Sequence, residues 1–448
     1  MKKRVYIKTF GCQMNENDSE KMYVLLSDEY EPTFNPEEAD LILINTCSVR
    51  EKPEHKVYSE VGRYKVLKKI KKDLIIGITG CVAQQEGENL IRKLPYVDLV
   101  LGTQGFYFIK DALKKFQQKK KPVVFTELNP NFKPPLIIEK NSQALFNQKK
   151  VTAFVTIMQG CDNFCTYCIV PYVRGREVSR PPEEILKEIE ELVKMGVREI
   201  ILLGQNVNSY GLKEKNYPTF PELLNMISQI DGLWRIRFTT NHPKDLSDKL
   251  IEVIATNSKV CKHIHLPLQA GSNKILKKMN RKYTKEEYLE KVEKLKKAVP
   301  DIAITSDIIV GFPGETEKDF EETLEMLEKV KYHEVFSFKY SDRPFTVAKN
   351  LKEKVPEEEK EKRLNKVHEI QQKITQEIYE SYVNKIVEIL VEGLSPKNPA
   401  MLTGRTTTNV VVNFKSPRLD IKGALVKVSV KEAGKHSLKG EYLEILRI

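Results

Sequence analysis

The sequence predicts an α/β protein in three parts: an N-terminal domain around a parallel sheet, a central partial (β/α)6 barrel, and a small antiparallel β-barrel at the C-terminal end. Three observations lead there. Strand-like runs end on cysteines at a nearly constant interval in the first part, strand and helix patterns alternate six times in the second, and short alternating runs divided by turns close the chain. The implied boundaries are 1–128, 147–378 and 379–448. With 448 residues, 40% of them hydrophobic, each part has enough chain for its own core.

In the first part, RVYIKTFG, ADLILINT and LIIGITG stand before Cys12, Cys47 and Cys81, and VDLVLGT (97–103) adds a fourth strand. The cysteines lie 35 and 34 residues apart, which suits successive strand–helix–strand units of about 30 residues or more. Helices are expected over Asn15 to Tyr30 and Pro53 to Lys72, the second with Val57, Val61, Tyr64 and Leu67 on one face. Parallel strands place their C-terminal ends on one edge, where open α/β folds bind ligands. Each cysteine alone reads as a small buried residue; three at equivalent strand ends read as a shared metal site. Asn45 and Thr46 stand where they can donate to its sulfurs.

A polar stretch from Asn129 to Lys150 reads as a linker. Strands are then expected at 151–157, 198–203, 235–240, 263–268, 302–310 and 335–340. The clearest helix between them is PPEEILKEIEELVKMG (181–196), opened by proline and closed by glycine. Such barrels carry their chemistry at the C-terminal strand ends. The first of these ends is the run GCDNFCTYCIVPY, with Cys161, Cys165 and Cys168 spaced C-x3-C-x2-C. Four-iron clusters take four cysteines, so three on one loop leave an iron open for chemistry. The rival is a Cys3His zinc site, for which His265 is the available histidine. Cys261 reads as a core residue. Phe164 and Tyr167 suit either shielding of a cluster or stacking on an adenine.

The remaining strand ends are polar or glycine-rich, so their backbone and amides can meet a cofactor. The cofactor contacts expected are Tyr167, Gln205, Asn206, Gln269, Ser306, Gly311 and Pro313. Arg174, Arg176 and Arg343 are the candidates for substrate binding, the first two as phosphate or cofactor contacts with ordinary surface arginine as the alternative.

From Lys349 to about Tyr382 the chain reads as a charged helix. Beyond it, IVEILVEG, AMLTGRTTTNVVVNF, ALVKVSVKEA and YLEILRI suggest about five strands of a small barrel. Residues 379–448 carry four more basic than acidic residues, and the whole chain has net charge +12. Charge alone does not separate a nucleic-acid surface from a solvated lysine-rich one. Seven cysteines form an odd set that argues against a disulfide framework. No apolar run reaches the roughly 18 residues of a membrane span, and MKKRVYIKTFGCQMN lacks the apolar segment of a signal peptide, so a cytoplasmic protein without membrane partners is expected.

Seven motifs span nearly the whole chain: KTFGCQMNENDSE (8–20), NTCSVREK (45–52), GITGCVAQ (77–84), GCDNFCTYCIVPYVRGRE (160–177), LLGQNVNSYG (202–211), HLPLQAGSN (265–273) and SDIIVGFPGETE (306–317). On these the chain resembles the methylthiotransferase family of radical S-adenosylmethionine enzymes, and its NENDSE run resembles the tRNA branch. The resemblance implies a radical-SAM barrel and two [4Fe-4S] clusters. Cys161, Cys165 and Cys168 match the ligands of the radical cluster, and Cys12, Cys47 and Cys81 those of an auxiliary cluster. It also implies a TRAM-like RNA-binding barrel at the end.

The implied reaction is methylthiolation of carbon 2 of N(6)-isopentenyladenosine at position 37 of tRNA, in the anticodon loop. S-adenosylmethionine (SAM) would serve as methyl donor and as source of a 5′-deoxyadenosyl radical, because an unactivated aromatic C–H bond yields to neither acid–base nor nucleophilic chemistry. An electron donor such as a flavodoxin or ferredoxin is a further expected partner. Alternatives are the same chemistry on another tRNA adenosine derivative or a ribosomal-protein aspartate, and, more distantly, a non-catalytic iron–sulfur or zinc RNA-binding protein. One motif departs from the family. Its Y-S-x-R-x-G-T-x-A pattern is met here by Tyr340 to Ala348, with Phe345 in the place of glycine.

Overall fold

The computed structural model describes residues 2–48, 51–138 and 150–448. Half of the expected linker, 139–149, and part of the NTCSVREK motif lie outside the described residues.

The first part is a six-stranded sheet of β1 (Lys3–Thr9), β2 (Tyr30–Pro32), β3 (Leu41–Thr46), β4 (Ile75–Gly80), β5 (Leu99–Leu101) and β6 (Val123–Phe125), in the order β2-β1-β3-β4-β5-β6. Every pairing is parallel. Strands β3 and β4 are buried along their full length because helices cover both faces. The sequence reading missed β2 and β6, which have only three residues each. The first helix is Gln13–Leu26, not one reaching Tyr30. Tyr30 instead starts β2 and buries its ring against the sheet core. The second helix is Glu51–Ile70.

The central part holds six parallel strands that follow the sequence in order: β7 (Thr152–Thr156), β10 (Glu199–Leu203), β11 (Arg235–Phe238), β12 (His263–His265), β13 (Ala303–Val310) and β14 (Glu334–Lys339). They form two three-stranded sheets, linked by a parallel bridge between Ile236 and Val260. A ribbon of β8 (Met158–Gln159) and β9 (Val178–Ser179) brackets the cysteine loop, a feature the sequence did not announce. The helix Pro182–Lys194 packs Ile185 and Ile189 onto the strands. Cys261 is buried.

Pro356 starts the helix Glu357–Glu380, so the charged connector is irregular over 351–356 before it becomes helical. The last part is a closed five-stranded barrel of β15 (Ile386–Ser395), β16 (Asn398–Arg405), β17 (Val411–Lys415), β18 (Leu425–Ala433) and β19 (Leu438–Arg447). Its pairs are antiparallel except β17 with β19, which run parallel. Two buried arginines of β11 fasten this barrel to the centre. Arg235 donates to the carbonyls of Arg405 and Glu388, and Arg237 donates to that of Thr407 while pairing with Glu199. Among the described residues no helix is long and apolar enough to cross a membrane.

Candidate active site

Strands β1, β3 and β4 are neighbours, so Cys12, Cys47 and Cys81 stand side by side just past their C-terminal ends. Gly11 is required there. Its φ is +122°, and a Cβ on it would lie 2.2 Å from the Cβ of Cys47. A hydrogen bond from Cys47 lowers the Cys12 thiol to about 6, with Arg174 assisting and burial opposing. Burial pushes the Cys81 thiol up, against the pull of Arg174.

Asn45 and Thr46 are not free to meet sulfur. The Asn45 amide donates to the Asn15 carbonyl at 2.8 Å and to Ser19 Oγ at 2.9 Å, and Thr46 Oγ1 donates to the Thr79 carbonyl at 2.6 Å. They brace the strand ends from within.

The second cysteine group sits on a loop held from three sides. Gly160 donates its N–H to Gln205 Oε1 at 2.6 Å, and with φ +80° it has the Arg176 carbonyl 2.0 Å from where a Cβ would be. Thr166 is fixed by the carbonyls of Lys278 and Met279, and the Asn280 amide donates to the carbonyls of Asn163 and Phe164. Arg281, a buried guanidinium, donates to Cys165 Sγ at 3.3 Å, to Tyr167 Oη at 3.4 Å and to the Pro267 carbonyl at 2.9 Å. Burial pushes Cys161 up to about 11 and Cys168 up to about 12. Metal loading therefore has to displace protons from these thiols.

Arg281 escaped the sequence reading because it lies inside the lysine-rich run KKMNRKYTKEE. Its 116-residue separation from Cys165 leaves no local signal.

Three of the expected cofactor contacts have hydrogen-bond partners within the chain. Asn206 donates to Asp245 and accepts from the His242 N–H. Ser306 Oγ accepts from Leu268 N–H and donates to the Leu266 carbonyl. Gly311 gives its N–H to Glu315, and Lys360 fills the space beside it. Each satisfies a backbone or carboxylate group that the strand end would otherwise leave unpaired. Pro313 is buried beside them. Tyr167 lies within the cysteine loop, between Cys165 and Cys168, and Gln205 holds the start of that loop. Gln269 is held at φ +75° between β12 and β13 by backbone bonds to Asp307 and Ile309.

Of the expected substrate contacts, Arg176 is exposed but forked onto Asp162 at 2.7 and 3.2 Å. Arg343 is buried. Arg174 is also buried, with 4% of its surface exposed, and donates to Asp18 Oδ2 at 2.9 Å and Asn15 Oδ1 at 3.1 Å. Asn15 Oδ1 also accepts from Cys12 Sγ, at 3.5 Å. The short helix Val170–Arg174 thus starts two residues beyond Cys168 and ends against the first cysteine group. Ile169 and Val173 of this segment pack on Cys81.

His265, the zinc rival's fourth ligand, places its ring nitrogens 3.0 Å from Thr305 Oγ1 and 3.4 Å from Asp307 Oδ2. Among the described residues, no three His, Cys, Asp or Glu side chains converge as a single-ion site requires. The Cys12, Cys47 and Cys81 thiols come from three strand ends and the Cys161, Cys165 and Cys168 thiols from one loop, and thiols are the donors that irons of a cluster take.

The sequence matches the Radical SAM superfamily over residues 155–327, the Uncharacterized protein family UPF0004 over 4–102 and the TRAM domain over 380–443. Two curated relatives are a tRNA-2-methylthio-N(6)-dimethylallyladenosine synthase of Syntrophus aciditrophicus, 48% identical over 99% of this chain and 95% of the relative, and one of Geobacter metallireducens, 50% identical over 98% of both. Among solved structures, the radical S-adenosylmethionine methyltransferase TsrM of Kitasatospora setae shares the fold. Its TM-score is 0.60 at 13% identity, over 78% of this chain and 75% of that one. With two groups of three cysteines joined by one helix and near-complete alignment to such relatives, the chain belongs to the tRNA-2-methylthio-N(6)-dimethylallyladenosine synthase family of radical SAM proteins.

Proposed function

We propose that this chain replaces the hydrogen on carbon 2 of N(6)-isopentenyladenosine, at position 37 in the anticodon loop of tRNA, with a methylthio group. The observation that carries the reading is the helix Val170–Arg174, which runs from the Cys161/Cys165/Cys168 loop to the Cys12/Cys47/Cys81 strand ends. Cys161, Cys165 and Cys168 would hold the radical cluster that works with SAM. Cys12, Cys47 and Cys81 would hold the auxiliary cluster. When bound, these groups supply the electron that splits SAM into methionine and a 5′-deoxyadenosyl radical, and the sulfur that a second SAM methylates.

The protein's own residues place these parts. Gln205 and Asn280 fix the first loop, Arg281 puts a positive charge and an N–H on Cys165, and Arg174 does the same for the Asn15–Cys12 corner. The C-terminal barrel, fastened by Arg235 and Arg237, adds an RNA-binding surface at a fixed distance. Stacking hides the target atom, so the nucleotide has to be splayed out to reach the cleft. A small reduced protein of the flavodoxin or ferredoxin kind would deliver the electron.

The test is anaerobic. Protein reconstituted with iron and sulfide is given reductant, SAM and tRNA carrying isopentenyladenosine, and digested nucleosides are read by mass spectrometry. A methylthiolated isopentenyladenosine is expected. Product on tRNA with another adenosine derivative, or on a ribosomal protein, in place of this one would move the assignment to that substrate.

A further inference from the structure

Resting on the reading of an RNA substrate, we propose that Tyr172 and Phe345 form a stacking platform for a nucleobase of that RNA, on the rim between the two cysteine groups. The backbone φ of Phe345 is +67°. A bulky residue in the left-handed region is an outlier, and such strain persists where it serves a function. The residue gains little from its own fold, since it is 61% exposed. Among the described residues its ring neighbour is Tyr172, itself 40% exposed, at 5.9 Å between centroids and 34° between planes. The two rings are near neighbours tilted to one another, and both are open to solvent.

Position selects the occupant. Tyr172 lies in the middle of Val170–Arg174, between the loop that starts the chemistry and the strand ends that would supply sulfur. The Phe345 segment follows β14 and is tied to the cysteine loop by the Ala348 N–H donating to the Thr166 carbonyl at 2.9 Å. A base to be modified has to arrive at this junction, or pack next to one that does. Arg176 is exposed over the ring of Phe164 on the cysteine loop, with its guanidinium already paired to Asp162. Aromatic faces accept any base, and a lost stacking partner weakens single-stranded RNA binding by about tenfold.

The experiment measures tRNA affinity and steady-state KM for wild type, Phe345→Gly, Phe345→Tyr and Tyr172→Ala over a salt series. Glycine suits φ +67°, so Phe345→Gly is expected to melt no lower than wild type. Phe345→Gly and Tyr172→Ala are each expected to raise Kd and KM about tenfold, and Phe345→Tyr to stay within about twofold. The slope of log Kd against log salt stays unchanged, because stacking releases no counterions. If wild type modifies the RNA but Phe345→Gly and Tyr172→Ala bind within twofold of it, the platform is overturned alone. If wild type neither binds nor modifies the RNA, the functional reading falls, and the platform with it.

Discussion

Arg174 joins two domains through one guanidinium. It sits 156 residues from Asp18 in sequence, yet their pair is almost wholly buried. Removing one partner of a buried pair leaves an uncompensated charge and costs about 3–5 kcal/mol. Arg174→Gln is therefore expected to lower the urea midpoint of the apoprotein, and Arg174→Gln with Asp18→Asn to recover part of the loss. Equal midpoints for the single and double variants would remove the pair from the account.

His242 and His263 make a second residue-level prediction. Burial is the main cause that holds both below the ordinary histidine pKa, aided by nearby cations that include Arg281 for the first and Arg237 for the second. Both fold neutral. Their contribution is complete above the unfolded value of about 6.5 and is lost as pH falls below it, at about 1.4 kcal/mol per pH unit for each. His263→Gln is expected to flatten the decline in apoprotein stability between pH 6.5 and 5 by about that slope.

At the scale of elements, the cysteine loop depends on glycine and on distant backbone. Gly160→Ala would drive a Cβ into the Arg176 carbonyl at φ +80°, so the loop has to shift. Reconstituted protein is expected to hold about four irons in place of about eight, read by iron analysis per chain. A full complement would show that the loop tolerates the shift.

The six central strands were legible because each pairs an apolar run with a following polar or glycine-rich turn. The short β2, β6, β8 and β9 were not, since two or three residues carry no period. The hydrogen bonds that Asn206, Ser306 and Gly311 make within the chain were not legible for a related reason. A polar residue at a strand end looks the same in sequence whether it meets a ligand or satisfies its own scaffold. Arg174 and Arg281 acquire their roles only through contacts more than a hundred residues away in sequence.

Across the whole molecule, buried arginines join the three parts. The first supplies Cys12, Cys47 and Cys81 on adjacent strand ends, the second Cys161, Cys165 and Cys168, and the third a barrel pinned by β11. The central claim is that the two cysteine groups do separate work. The direct measurement quantifies 5′-deoxyadenosine and methylthiolated nucleoside from the same anaerobic reactions of wild type, Cys161→Ala and Cys47→Ala. Cys161→Ala is expected to form neither, and Cys47→Ala to form 5′-deoxyadenosine without methylthiolated product. Full product from Cys47→Ala, or 5′-deoxyadenosine from Cys161→Ala at the wild-type rate, would contradict the account.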